Sequence, residues 1–209
     1  MRNLGIKRLV LAAMLLLLSA ALSGASAPQR DAAEGSGSLA GQLLVAAPEM
    51  SDPRFAQTVI LVVWHDARGA LGIIINRPVG EHALASLMEA VGAPDASVKG
   101  SVPLFLGGPV ETQKGFVIHS TDYHRPETIA IDRHVAMTSS PELLRDIGHG
   151  KGPQKALVAF GYAGWAPGQL EAEMARQQWF TEPEDPKLLF DEARDNVWDE
   201  AMSRRSREL

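Results

Sequence analysis

An α+β fold with a mixed or antiparallel sheet is what this sequence predicts, on three observations. A β-branched, apolar run at residues 58–64 is followed at once by a polar turn and a second apolar run at 70–75. Apolar residues recur at helical spacing in separate places, after residues 82, 139 and 168. Strands and helices are therefore interspersed, yet several strands follow one another directly, which favours this class over a doubly wound parallel fold.

The chain opens differently from everything after it. Arg2, Lys7 and Arg8 give a positive start, Leu9 to Leu18 is unbroken and apolar, and small residues follow to Ala27. That order is that of a secretory signal peptide over residues 1–27. The apolar run is shorter than the roughly 20 residues a membrane span needs, so no span is expected after cleavage. Ala25-Ser26-Ala27 fits the small-x-small cleavage pattern, with cuts after Ser23 or Ala25 as alternatives because Pro28 follows Ala27. An uncleaved anchor or an unused upstream start codon are the readings without export. The chain is predicted to be periplasmic or secreted if the signal is used, and cytoplasmic otherwise. Residues 28–38, rich in Ala, Gly and Ser, read as a flexible linker, and 39–209 as a single domain.

Within that domain, 39–47 is a short apolar strand, and 48–55, with Pro48, Asp52 and Pro53, is a loop. Residues 58–64 suit a strand covered on both faces. His65 to Gly69 has the chemistry of a hairpin turn. The return strand at 70–75 is expected to stop at Pro78. Ala83, Leu84, Leu87, Met88 and Val91 mark a helix, with Gly92 as a C-cap. Strands are read at 102–106, 115–119, 128–131 and 155–162. Ser139 and Glu142 suggest a capping box around Pro141, ahead of Leu143, Leu144 and Ile147. Residues 169–178 read as a helix, and two helical segments close the chain between 187 and 205.

Composition narrows the function classes. With 209 residues, 45% hydrophobic and 22% charged, the chain is long and apolar enough to bury a core. Its formal net charge is -5. Removing residues 1–27 lowers Lys+Arg from 20 to 17 against 25 acidic residues, so the mature charge is -8. That balance argues against direct nucleic-acid binding, which usually needs a basic surface. The absence of cysteine excludes disulfides, thiol nucleophiles, thiolate metal sites and a lipidated N-terminal cysteine.

Chemistry-bearing motifs are few. None of the six histidines makes the i, i+4 or HExxH spacing of a helical zinc pair, so no metal is expected. There is no G-x-S-x-G elbow and no phosphate-binding glycine loop, so neither catalytic residues nor a cofactor are assigned. Gly148 to Gly152 follows a helix instead of opening one and reads as a glycine-rich C-cap. Asn76-Arg77-Pro78 puts a fork-shaped cation at a strand end, suited either to an anion or to a neighbouring carboxylate. Gly107-Gly108 permits a sharp turn, or a backbone that closely lines a ligand. Tyr162 and Trp165 end a strand as a recognition surface or a packing corner. Glu171 suits the positive end of the next helix. The many acids after residue 181 read as a solvated face.

Six segments occur in an order that identifies a family. They are Gly41 to Ala46, Asp52 to Phe55, Gly72 to Pro78, Gly107 to Val110, Gly115 to Ser120 and Gly161 to Glu171. The chain resembles the YqgE/AlgH family of bacterial proteins over about residues 39–204. The resemblance implies an α+β fold whose bent mixed sheet forms a partial barrel flanked by helices. It also implies a transcriptional-regulator role, after a regulator of alginate synthesis; the absence of a recognisable catalytic constellation favours a role exercised through a protein partner or small ligand and not by catalysis. No catalytic residues come with the family. Its members usually begin near the position of Leu39 without an export signal, and a periplasmic protein cannot act directly on chromosomal DNA. The candidate ligand-binding set is Asn76, Arg77, Gly107, Gly108, His119, Tyr162 and Trp165. The alternative is a hydrolase-type enzyme with a cleft near Arg77, Gly107 and His119.

Overall fold

The structure is a computed structural model that describes residues 37–191 and 193–208. The expected signal peptide and most of the expected linker lie outside the described residues. Its first half begins with β1 (Gln42–Ala46), β2 (Val59–Asp66), β3 (Gly69–Ile74), β4 (Pro78–Ala83), α1 (Leu84–Ala90), β5 (Ser101–Leu106) and β6 (Val110–Ser120). Then come β7 (Ile129–Ala130), β8 (Val135–Thr138), α2 (Pro141–Gly148), β9 (Ala156–Trp165), α3 (Gln169–Ala175) and β10 (Trp179–Pro183). A π-helical turn (Lys187–Asp191), a 3-10 turn (Arg194–Asn196) and α4 (Val197–Glu208) close the described chain.

β2 and β3 form the expected hairpin, with Ile60 opposite Ile74 and Asp66 opposite Gly69. Leu43, Val45, Leu61 and Ile73 pack on one face against Leu188, Leu189, Val197 and Ala201. Leu44, Ile60, Val62 and Ile74 pack on the other against Trp165, Leu170 and Trp179. The central strands are therefore dry on both sides, which is why their sequence is continuously apolar and not alternating. The outer face of β6 and β9 is covered by α1 and α2: Leu87, Met88, Leu143 and Leu144 meet Val117 and Val158.

The sheet runs in the order β10-β1-β2-β3-β9-β6-β8-β7, every neighbour antiparallel. β5 joins β9 in parallel and carries β4 on its free side. The sheet is thus mixed and curls into a half-barrel with flanking helices, the class the sequence predicts. Curling brings the two ends of the strand order together, so that His134, one residue before β8, lies 3.5 Å from Glu184, one residue after β10.

Several local expectations need correction. The return strand does end before Pro78, at Ile74, but Pro78 itself opens a further strand, β4, because the first residue of an edge strand needs no ladder donor. Ser140, not Ser139, caps α2, accepting from the Glu142 N–H at 3.3 Å. The third helix stops at Ala175 instead of continuing to 178. Gln177 turns the chain with φ +57°, and residues 179–183 then pair with the open edge of β1. β8 has no counterpart in the sequence reading, because its four residues are too few to display a period.

Candidate functional site

Each predicted site residue has a definite place. Asn76 accepts from the Val59 N–H at 2.9 Å and donates to the Gln57 carbonyl at 2.9 Å. It thereby holds Gln57 in its left-handed conformation, φ +56°. Arg77 donates through Nη2 to the Ala56 carbonyl at 2.7 Å. Both residues line a polar cavity of about 420 Å³ closed on the far side by Arg194, Asp195, Trp198 and Asp199.

Gly107 and Gly108 serve close backbone approach. A Cβ on Gly108 would stand 2.1 Å from the Tyr162 carbonyl carbon, and one on Gly107 would stand 2.4 Å from the Gly161 oxygen. The Gly107 N–H donates to the Phe160 carbonyl at 2.8 Å, while its own carbonyl accepts from Ile74 at 2.8 Å. Tyr162, beside this crossing, meets Phe116 edge-on with ring centroids 6.1 Å apart.

His119 is fully buried on β6. Its Nδ1 lies 2.9 Å from the Ser120 carbonyl and its Nε2 lies 2.9 Å from Thr138 Oγ1. A carbonyl only accepts, so the proton is assigned to Nδ1 and Nε2 accepts from the Thr138 hydroxyl. The chain of bonds continues from Thr138 to Thr128 Oγ1 at 2.7 Å, which accepts from the Arg125 N–H at 2.9 Å. Burial pushes the His119 imidazole below its ordinary pKa, so the ring is neutral.

Trp165 is 7% exposed and donates to Glu173 Oε2 at 2.9 Å. Trp179 donates to the same oxygen at 2.8 Å, and Gln169 donates to Oε1 at 2.8 Å. The two indoles meet edge-on at 6.0 Å. Glu171, at the start of α3, bonds His65 at 2.8 Å. The hydrogen bond from its own backbone, then His65, holds its carboxyl below the usual range. Of the seven predicted residues, then, Asn76 and Arg77 share a cavity, while His119, Tyr162 and Trp165 pack elsewhere.

A second cavity, of about 440 Å³, opens between the end of α1, β6 and the start of α2. Its floor is apolar: Phe116, Leu144, Val158 and Phe160. Its rim carries Lys114, Ser139 and Ser140. Lys114 sits 5.5 Å from the Phe116 ring centroid and 3.5 Å from Glu111. Sequence reasoning missed this place because its residues come from five elements. The local signal is Gly115, where a Cβ would come within 3.3 Å of the Phe160 ring.

One group of potential metal ligands stands apart from both cavities. Asp132, His134 and Glu184 each place a ligand atom within 4.8 Å of the others. Burial, then the nearby Asp132 charge, pushes the Glu184 carboxyl above its ordinary pKa. Helical zinc spacing does not reach this group, because Asp132 and His134 lie on the bend before β8 and Glu184 follows 50 residues after His134, just past β10. Among the described residues, no helix is long and apolar enough to cross a membrane.

A family model described as AlgH-like matches residues 43–209. A UPF0301 protein from Jannaschia sp. (strain CCS1) is 45% identical over 166 residues, 78% of this chain and 86% of that protein. One from Methylococcus capsulatus is 43% identical over 169 residues, 81% and 92% of the two chains. The solution structure of the AlgH protein from Pseudomonas aeruginosa is similar at a TM-score of 0.70 and 38% identity, covering 88% of this chain and 93% of that one. A crystal structure of a Corynebacterium diphtheriae protein shares the fold at a TM-score of 0.61 and 24% identity.

Proposed function

Since this chain belongs to the AlgH-like family, we propose that it is a regulatory binding protein that takes up a small amphipathic anion and does not turn over a substrate. The cavity between α1, β6 and α2 carries this reading. Its volume of about 440 Å³ falls in the range of small-molecule sites, about 300–1,000 Å³. An apolar body would lie on Phe116, Leu144 and Val158, and an anionic head would meet Lys114 and the Ser139 hydroxyl. Both helices that form the mouth would feel the occupant, so binding would alter the face that α1 and α2 offer to a protein partner.

The hydrolase alternative is not favoured. Arg77 lines the polar cavity, His119 lines neither cavity, and both of its ring nitrogens are engaged within the fold. The regulatory role that the resemblance implies, including control of transcription, would run through a partner. Were residues 1–27 to direct export, a relay across the membrane would be required as well.

Binding of 1-anilinonaphthalene-8-sulfonate, itself an apolar body with an anionic head, tests the proposal. Saturable binding is expected, weakened at least about tenfold by Ser139→Trp, which blocks the mouth from an exposed position. Unchanged binding in that variant, or none in the parent, would overturn it.

A further inference from the structure

We propose that Asp132, His134 and Glu184 bind one divalent transition-metal ion of the Zn²⁺ type at the seam where the two ends of the curled sheet meet. The observation that points to a ligand is Glu184. Its side chain is only 8% exposed, and its Oε1 is buried with no hydrogen-bond partner among the described residues. Buried polar atoms are nearly always satisfied, and a buried carboxylate oxygen left bare costs free energy unless a cation or proton takes it up.

Its surroundings supply the rest of a donor set. Asp132 Oδ1 accepts from the backbone N–H groups of His134 at 2.6 Å and Val135 at 2.8 Å, which fixes that carboxylate in place. Its Oδ2 lies beside Gly41, where a Cβ would approach to 3.4 Å. His134 presents Nδ1 at 3.5 Å from Glu184 Oε2, the outer limit of a hydrogen bond. Two atoms each bound at about 2.0–2.1 Å to one tetrahedral Zn²⁺ stand about 3.3 Å apart, so the spacing already suits shared coordination. Two carboxylates and one imidazole form a borderline donor set that suits Zn²⁺ better than Mg²⁺ or Ca²⁺. Three protein ligands leave a fourth position, and the His134 side chain, 45% exposed, gives it access to solvent.

Arg133 Nε donates to His134 Nε2 at 3.1 Å, which keeps the imidazole proton on Nδ1. Loading therefore moves that proton to Nε2 and releases the exposed Arg133 side chain. The ligands come from the turn before β8 and from the residue after β10, so the ion would clasp opposite ends of the strand order.

Metal titration of the tag-free, chelator-stripped full chain tests this. With Zn²⁺ followed by calorimetry and Co²⁺ by its visible absorption, one site per chain is expected, with a Kd below about 10 μM. At about one hundred times Kd, Zn²⁺ should raise the Tm by roughly 5–10 °C. His134→Ala, at an exposed turn position, and Glu184→Gln should each weaken binding at least about tenfold. No saturable binding below about 100 μM would overturn the proposal. So would unchanged affinity in His134→Ala, since the ion would then sit on other groups.

Discussion

Glu173 and Glu184 stand on either side of β10 and carry the same carboxylate into opposite situations. Glu173 lies on the apolar face shared by Trp165 and Trp179 and receives three N–H donors, two of them indoles. The Glu184 side chain is only 8% exposed, yet one of its oxygens receives nothing. The difference teaches what a half-apolar protein does with a buried charge. Where donors converge, the carboxylate ties strands and a helix together and has no capacity left for a ligand. Where they do not, the carboxylate is held in readiness by the fold around it.

The largest effect should come from removing the packing around the saturated carboxylate. Trp165→Ala should lower stability by about 3–5 kcal/mol, as for large aromatic truncations in cores, measured by denaturant melts. A variant of unchanged stability would make Trp165 a surface residue in solution and dissolve the comparison. Next comes the same substitution at both carboxylates. Glu173→Gln should cost about 1–3 kcal/mol, because one amide oxygen cannot serve donors that now meet an NH₂ group. Glu184→Gln in the metal-free protein should be neutral or stabilising by about 1 kcal/mol, because it removes a buried charge one of whose oxygens lacks a donor. Equal losses at the two positions would erase the distinction between them.

His119 belongs with Glu173 as a group whose partners are all internal. Its folded-state pKa is depressed by burial from 6.5. Its contribution to stability is therefore complete above about pH 6.5 and is lost as pH falls toward the folded-state value, since the unfolded chain takes up the proton first. The slope should reach at most about 1.4 kcal/mol per pH unit and be shallower in His119→Gln. Equal slopes in the two proteins would mean that another group titrates in that window.

The central hairpin was legible because both of its faces are buried, so its apolar run needs no alternation to be read. The helices were legible from their period, although the α2 cap falls one residue later than the capping-box spacing suggests. β10 was not, because its reason for being a strand is the open edge of β1, some 135 residues earlier in the chain. The site was less legible than the fold. Asn76 and Arg77 do line a cavity, but the glycines and aromatics at 107–108 and 162–165 were conspicuous for the crossing they build. Lys114 and Glu184 carry no local signature, and Ser139 reads only as a helix cap, since tertiary packing alone brings them to the cavity and the seam.

Among the described strands β4, β7 and β10 each have a neighbour on one side only, and β4 is the longest of the three. β4 pairs with β5 alone, and Val79 on it is 59% exposed. An open strand is a template on which another molecule's backbone can polymerise. Here Pro78 offers no N–H, the register slips between Pro78 and Gly80, and Glu81 adds a charge. A neighbouring copy that tried to zip along this border would find a missing donor, a step out of phase and a repelling carboxylate of its own kind. The irregularity of β4 thus acts as a safeguard against fibre growth along the border it leaves uncovered.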